Sequence, residues 1–321
     1  MTGFIVNRLL TACILLVGLS TGVFFVARLS PGDPFLLLQT PTSSAASVDA
    51  WRHKAGLDQP LLSQYIHWME DSFSGSLGIS IRHQRPVEEV ILTALPSTAF
   101  LAGSALVLEL ILGVTLGGLA AKYNESWIDK IVSKVGLVAY TLPTFWVGMI
   151  LLAIFSYWLG WFPSSQLRSI GAEHLSQSDQ LWDYMDHLFL PALALAIPGA
   201  GSISRYFRDA LLKVRKEEFL LYAQSLSMPR RVMFLRYELP NACASLITLA
   251  GLELGTLLAG VVVTETTFAL PGMGRLTVSA IFSRDYPLVM GCTLVSGIAV
   301  ILGNFIADVF YGIIDPRVRV S

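Results

Sequence analysis

The chain has 321 residues, of which 54% are hydrophobic and only 14% are charged. This balance excludes an ordinary soluble globular protein and predicts that lipid is the main solvent. The net charge of -1 gives no general attraction for nucleic acid. We therefore expect an all-α membrane protein that contacts lipid and binds no nucleic acid.

Six apolar stretches are long enough to cross a hydrocarbon layer of ~30 Å. The first follows Arg8, is long for a signal-peptide core and lacks a clear cleavage site, so it is predicted to remain as a transmembrane helix. The fourth is interrupted by proline and glycine, which only packing inside a bundle would tolerate. In chain order the stretches are 9–28, 98–120, 135–159, 187–206, 241–264 and 287–312.

These stretches divide the chain into three regions. An N-terminal transmembrane helix (1–28) precedes an extracytoplasmic loop region (29–96). A core domain (97–321) then carries five transmembrane helices and a cytoplasmic loop (207–240). The long outer region carries Trp51, Tyr65, Trp68 and Phe73 at spacings typical of short amphipathic helices at a membrane surface, so it is predicted to be a folded cap.

The distribution of Lys and Arg predicts the orientation. With the N-terminus inside, 14 of the 22 basic residues fall in the inner segments, although the outer segments are much longer. Positive residues concentrate on the cytoplasmic side of membrane proteins. Both termini are therefore predicted to be cytoplasmic.

Polar residues inside the spans are candidates for a pathway or for helix packing. Gly113, Gly117 and Gly118 are spaced for close helix contact. An ionisable group in hydrocarbon costs a few kcal/mol unless it is paired or hydrated, so span carboxylates should face the bundle interior or a pathway. A proton-coupled secondary transporter would use them as relays, and this remains an alternative function. These carboxylates are Glu109, Glu253, Glu265 and Asp308.

Cofactor and metal signals are weak. Cys13, Cys243 and Cys292 lie in apolar stretches, which argues against disulfides or a zinc site. The five histidines all fall on the predicted outer side but show no ligand spacing, so neither a bound metal nor a cofactor is predicted; they are His53, His67, His83, His174 and His187.

A phosphate-binding loop requires a Gly-Lys pair, which this chain lacks, so any ATP must be hydrolysed by another subunit. A membrane-embedded enzyme would need a nucleophile or metal constellation, for which no motif is seen.

The inner loop carries the most informative pattern. From Glu217 to Ser225, an apolar helical face includes Phe219, Tyr222 and Ala223. The run Ser227-Met228-Pro229 should end this helix and begin a second one. Two short helices joined by a tight turn, the first with one apolar face, predict an element that docks on a partner.

At this loop the chain resembles the ABC import permeases. Their signature is Glu-Ala-Ala, three residues, Gly, nine residues and Ile-x-Leu-Pro. The aligned positions here are Leu221, Tyr222, Ala223, Ser227, Tyr237, Leu239 and Pro240, of which only Ala223, Leu239 and Pro240 match. Ser227 replaces a glycine after the helix end, where a left-handed non-glycine residue costs about 1 kcal/mol.

Over nearly its whole length the chain is similar to the dipeptide, oligopeptide and nickel permease family. The shared motifs are Pro31–Pro34, Gly56–Leu61, Leu77–Ser80, Arg85–Val87, Pro143–Trp146, Leu188–Pro191, Glu265–Phe268, Pro271–Gly274, Arg284–Pro287 and Asp315–Arg317. Ser76 departs from the acidic residue that is usual before the Leu-Gly pair.

This resemblance implies a six-helix permease with the ABC type I importer fold in a bacterial inner membrane. Its expected partners are a second homologous permease, two cytoplasmic ATP-binding subunits and an extracytoplasmic solute-binding protein. The inner loop would couple to an ATPase through Phe219, Leu221, Tyr222, Ala223, Ser227, Leu239 and Pro240. The pathway or outer gate would include Glu265, Phe268, Pro271, Gly272 and Gly274. Peptides are the first substrate hypothesis and nickel or a metal chelate the second, because 84–87 and 279–287 also resemble the nickel branch.

Overall fold

The computed structural model describes residues 2–29 and 58–314, and every regular element within these ranges is helical. Ile79 and Pro86 form an isolated antiparallel bridge. A 3₁₀ turn spans Ala172–His174. The helices are α1 (Thr2–Leu29), α2 (Leu61–Phe73), α3 (Val87–Lys122), α4 (Trp127–Thr141), α5 (Thr144–Leu151), α6 (Gln177–Val214), α7 (Glu218–Ser225), α8 (Arg230–Met233), α9 (Leu239–Thr267), α10 (Met273–Phe282) and α11 (Tyr286–Ile314).

Among the described residues, four helices are long and apolar enough to cross a membrane: α1, α3, α6 and α11. The count becomes five if α4 and α5, with the π-helical turn Leu152–Trp158, form one bent span. The predicted stretch 241–264 lies in α9, where many side chains fall outside the described set. The six-helix count therefore stays a prediction.

The predicted stretch 135–159 is not one straight helix. α4 and α5 meet at an angle of 106°. Leu142 is extended, with φ -77° and ψ 133°, and Pro143 follows it. A residue before proline is disfavoured in the helical region, so Leu142 ends α4 and Pro143 precedes the first turn of α5.

α6 corresponds to the weakest of the predicted spans. It runs through Pro191 and Pro198 without a break and is the most enclosed of the four long helices. Bundle packing re-satisfies the backbone groups that a proline leaves free, which explains how the helix survives two of them.

The chain divides by its contacts into two compact units. The first unit comprises Met1–Thr98 with Pro271–Ile301, and the second comprises Ala99–Leu270 with Leu302–Ser321. In the first unit, Phe24 of α1 is fully buried. Its ring centroid lies 5.3 Å from that of Tyr65 and 5.7 Å from that of Trp68, both on α2. Of the outer aromatic residues, Tyr65, Trp68 and Phe73 thus lie on α2 (Leu61–Phe73), while Trp51 lies outside the described residues.

In the second unit, α3 packs closely on α6. A side chain at Gly117 would collide with the Ser204 backbone oxygen, and one at Gly113 would meet the Ile203 side chain. The prediction of close helix packing is confirmed at these two glycines. A Cβ added at Gly118 would lie at an ordinary contact distance of 3.7 Å from the Phe207 ring, so the small size of this glycine is not needed for the approach.

Candidate functional site

The inner loop folds into two short helices joined by a tight turn, as predicted. α7 ends at Ser225 with Leu226 as its C-cap, and Ser227 then adopts φ 53°. The N–H of Ser227 donates to the Gln224 carbonyl at 2.9 Å, and the N–H of Met228 donates to the Ala223 carbonyl at 3.4 Å. This bonding pattern is a Schellman motif with serine in the left-handed position that glycine usually occupies.

A small apolar core holds the two helices together. Leu220, Ala223 and Met233 are buried, and Val214, Met228 and Tyr237 pack against them. The prediction that Ala223 belongs to the exposed face is wrong, because only 5% of it is exposed. The turn at Ser227 folds α8 back over α7, so Ala223 lies beneath Met233 with Leu220 and not on the outer surface.

The outer face of α7 is apolar and uncovered. Phe219 is 42% exposed, Tyr222 67% and Leu226 59%. These residues are spaced i, i+3 and i+7, so they share one side of the helix. Leu221 is also 53% exposed, on an adjacent side. We call Phe219, Leu221, Tyr222 and Leu226 the outer apolar face; such a face is typical of an interaction surface.

Leu239 and Pro240 position a helix and do not extend the outer apolar face. They lie at the start of α9, directly after the π-helical turn Phe234–Glu238, with proline in the first turn of α9. Leu239 packs against a buried cluster that includes Phe207 and Leu211 of α6. The Leu-Pro end of the loop pattern thus packs the start of α9 against α6.

A buried aspartate organises the hairpin that precedes α3. Asp285 is completely buried. Its Oδ2 accepts from the Ser80 hydroxyl at 2.5 Å and from the Arg82 N–H at 3.0 Å, while its Oδ1 accepts from the Leu288 N–H at 3.3 Å. Asp285 therefore caps α11 and closes the hairpin at the same time. Sequence reasoning gave this residue no role, although Ser80 and Asp285 both lie in family-like motifs that could have indicated one.

Two family models cover most of the chain. The model for the binding-protein-dependent transport system inner membrane component matches residues 113–320. The model for the N-terminal part of that membrane component matches residues 1–102.

The chain belongs to the family of binding-protein-dependent transport system inner membrane components.

Curated relatives match this inner membrane component from end to end. It is 34% identical over 320 residues to the oligopeptide transport system permease protein AppB of Bacillus subtilis, covering 99% of this chain and 100% of the relative. It is 36% identical over 319 residues to the probable D,D-dipeptide transport system permease protein DdpB of Escherichia coli, covering 95% and 94%. The resemblance inferred from the motifs is confirmed.

A solved structure supports the fold. A chain from an inward-facing MetNI methionine ABC transporter matches with a TM-score of 0.54 at 15% identity, covering 70% of this chain and 96% of the other. At this identity the likeness concerns the fold alone. The expected all-α importer-permease fold is therefore confirmed, apart from the number of spans.

The predicted gate residues of this inner membrane component divide between the two units. Glu265 and Phe268 lie at the end of α9 in the second unit, and both are buried. Phe268 packs on Gly148, and its carbonyl accepts from the Gln166 N–H at 3.0 Å. Pro271, Gly272 and Gly274 belong to the first unit, where Pro271 is exposed and both glycines are buried at the start of α10. Their common role at a gate stays a prediction.

The remaining predicted polar residues show no convergent chemistry. Glu109 is completely buried and lies against Gly199, whose missing side chain leaves room for the carboxylate. The side chains of Glu253 and Asp308 lie outside the described set, as does His53. His187 is buried, with its Nδ1 2.7 Å from the Asp183 carbonyl oxygen, which is a local contact within α6. Among the described residues, no three His, Cys, Asp or Glu side chains are grouped to hold a metal ion.

Proposed function

We propose that this protein is the permease subunit of an ATP-driven importer of peptides. It would form half of a translocation pathway together with a second, related permease. Two ATP-hydrolysing subunits would bind on the cytoplasmic side, and a solute-binding protein would deliver the peptide from outside. The full-length likeness to permeases named for oligopeptide and D,D-dipeptide transport supports this substrate class.

The observation that carries the proposal is the outer apolar face of α7. The loop already has its own buried core of Leu220, Ala223 and Met233, so the exposed side chains are not needed for its folding. Large apolar groups left in water on a folded element indicate a partner that covers them. In a transport subunit without a nucleotide site, that partner is an ATPase subunit.

The proposed orientation places this loop in the cytoplasm, together with both termini. It rests on the excess of Lys and Arg in segments such as 205–236, since cytoplasmic segments attract positive charge. In the same arrangement the end of α9, with Glu265 and Phe268, lies near the outer membrane surface. We assign these two residues to the pathway or its outer gate.

The ATPase contact is tested by changing Tyr222 to Ser in the complete complex. Burying one aromatic side chain contributes about 1.5–3 kcal/mol, so its loss should weaken ATPase retention by about 10- to 100-fold. Size-exclusion chromatography of the solubilised complex at low concentration measures the retention. Ala223 is a poor test position, because a change there also damages the core of the loop.

The matched control is Gln224→Ser, which alters an exposed polar residue on the same helix. It should retain the ATPase subunits as the unchanged protein does. If Tyr222→Ser also retains them fully, the outer apolar face is not the docking surface.

The substrate proposal is tested with the purified complex in proteoliposomes. Peptide-loaded binding protein should stimulate ATP hydrolysis, and peptide uptake should stop when ATP is omitted. Stimulation by a nickel complex but not by peptides would transfer the assignment to metal import. Uptake that persists without ATP under a proton gradient would instead indicate secondary transport.

A further inference from the structure

Arg215 joins three helices at the point where the inner loop begins. It follows the last residue of α6. Its Nε donates to Oε2 of Glu238 at 2.8 Å, and its Nη1 donates to the Ala121 carbonyl oxygen at 2.5 Å. Glu238 immediately precedes α9, and Ala121 lies in the last turn of α3. A single guanidinium group, at the end of α6, thus contacts the end of α3 and the residue before α9.

One contact satisfies a carbonyl at the end of α3, and the other pairs a mostly buried carboxylate. The carbonyls in the last turn of a helix have no partner within the helix, and a cation there also complements the helix dipole. The Glu238 side chain is 11% exposed and that of Arg215 is 31% exposed. Separation of this pair is opposed mainly at Glu238, because its mostly buried carboxylate would be left poorly hydrated without the arginine.

The ion pair closes the base of the inner loop. All of α7 and α8 lies between Arg215 and Glu238. The chain neighbours of the pair, Val214 and Tyr237, pack against the loop core of Leu220, Ala223 and Met233. The core and the ion pair together make the loop one body whose base is attached to α3 and α6.

Arg208 provides a comparison on the same helix. It lies seven residues before Arg215, and therefore on a similar side of α6. Its Nε and Nη2 contact the Oδ1 and Oδ2 atoms of Asp129 on α4 at 2.6 and 2.7 Å. The Arg208 and Asp129 side chains are 23% and 6% exposed. This pair resembles the other in burial and geometry but does not border the segment between Arg215 and Glu238 that contains α7 and α8.

We propose that Arg215 is the positioning residue that holds the base of the inner loop and transmits its displacement to α3 and α6. This inference rests on the proposed coupling function of the loop. An ATPase subunit that moves the outer apolar face would move α7 and α8 as one body, and Arg215 would pass that movement to α3 through Ala121. Arg208 joins α6 to α4 but has no part in this transmission.

The test uses the complete transporter with Arg215→Gln, Glu238→Gln, the double variant and Arg208→Gln as the matched control. The first readout is the ratio of peptide-stimulated to basal ATP hydrolysis in complexes that have retained their ATPase subunits. We expect this ratio to fall at least fivefold in each Arg215 and Glu238 variant. The double variant should be no worse than either single one, since both remove the same interaction. Arg208→Gln should keep the ratio within twofold of the unchanged protein.

The second readout is amide hydrogen exchange of α7 and α8 in the same complexes. Exchange should become at least tenfold faster in the Arg215 and Glu238 variants but not in the Arg208 control. If Arg215→Gln fails to assemble, Glu238→Gln tests the same bond with a side chain of nearly unchanged shape.

Two results would overturn the inference: an unchanged hydrolysis ratio and exchange rate in Arg215→Gln or Glu238→Gln, or an equal loss in Arg208→Gln. If the unchanged complex shows no peptide-stimulated hydrolysis, the proposed function fails. In that case the exchange comparison alone decides whether Arg215 holds the loop.

Discussion

The hairpin before α3 and the inner loop are two turns built on opposite principles. The hairpin is organised around a buried charge, Asp285, whose oxygens accept from Ser80, Arg82 and Leu288. The inner loop is organised around three apolar side chains and leaves its largest ones exposed. The hairpin satisfies its own polar groups, whereas the loop leaves its outer apolar face exposed to solvent. This difference separates a turn that satisfies its own groups from one whose exposed apolar face supports the proposed docking of a partner.

The largest expected effect is at the hairpin. Asp285→Ala would leave the Ser80 hydroxyl and the Arg82 and Leu288 N–H groups without their acceptor. Breaking such a buried network costs about 3–5 kcal/mol. The thermal midpoint of the purified permease should fall clearly, and its abundance in the membrane should fall with it.

Asp285→Asn is the control, because it keeps one acceptor oxygen in nearly the same place and should lose less. An unchanged midpoint in Asp285→Ala would mean that the hairpin does not depend on this carboxylate. The contrast with the inner loop would then disappear.

A smaller and more local effect is expected from Leu220→Ala. Leu220 is completely buried in the loop core, and truncation of a buried leucine costs about 2–5 kcal/mol, with the lower end expected in so small a core. The loss should appear as faster hydrogen exchange in α7 and α8, with little change in the thermal midpoint of the membrane helices. Leu221→Ala, at a 53% exposed position, should leave exchange in the isolated permease nearly unchanged.

If Leu220→Ala lowers the thermal midpoint of the membrane helices as much as Asp285→Ala does, the loop is not a separate body. The distinction between the two turns would then need revision.

The sequence predicted these two regions unequally. The loop could be predicted from local signals: the apolar spacing around Tyr222 and the break at Ser227-Met228-Pro229 both concern neighbouring residues. Local spacing does not show on which side α8 folds over α7, so the sequence alone places Ala223 on the apolar face that docks, whereas the structure buries it in the loop core. Periodicity shows that a helix has an apolar side, but it does not say which part of that side its own chain will cover.

The hairpin could not be predicted for a different reason. Ser80 and Asp285 are separated by 205 residues, and no local spacing connects them. Hydropathy alone also misses the 106° bend between α4 and α5, although this bend has a local signal. Pro143 is a local signal that the preceding residue should leave the helical region, but the hydropathy of the surrounding stretch concealed it.

The smallest expected effect, and the one with the opposite sign, is at the end of α7. Within residues 2–29 and 58–314, three helices are followed by a non-glycine residue in the left-handed region: Ser227 after α7, Ala269 after α9 and Arg284 after α10, each with φ 53°. In all three the next N–H bonds back to the helix, as from Leu270 to Glu265 at 2.8 Å and from Asp285 to Ala280 at 2.9 Å.

A left-handed non-glycine residue costs about 1–2 kcal/mol, while glycine costs more entropy in the unfolded chain. Ser227→Gly should therefore stabilise the loop by a net ~0.5–1 kcal/mol. Hydrogen exchange in α7 and α8 should slow by about two- to fivefold, since 1.4 kcal/mol corresponds to a factor of ten. Gln224→Gly, inside α7, should instead speed exchange, because glycine is unfavourable within a helix. Faster exchange in Ser227→Gly would show that the serine makes contacts that outweigh its backbone strain.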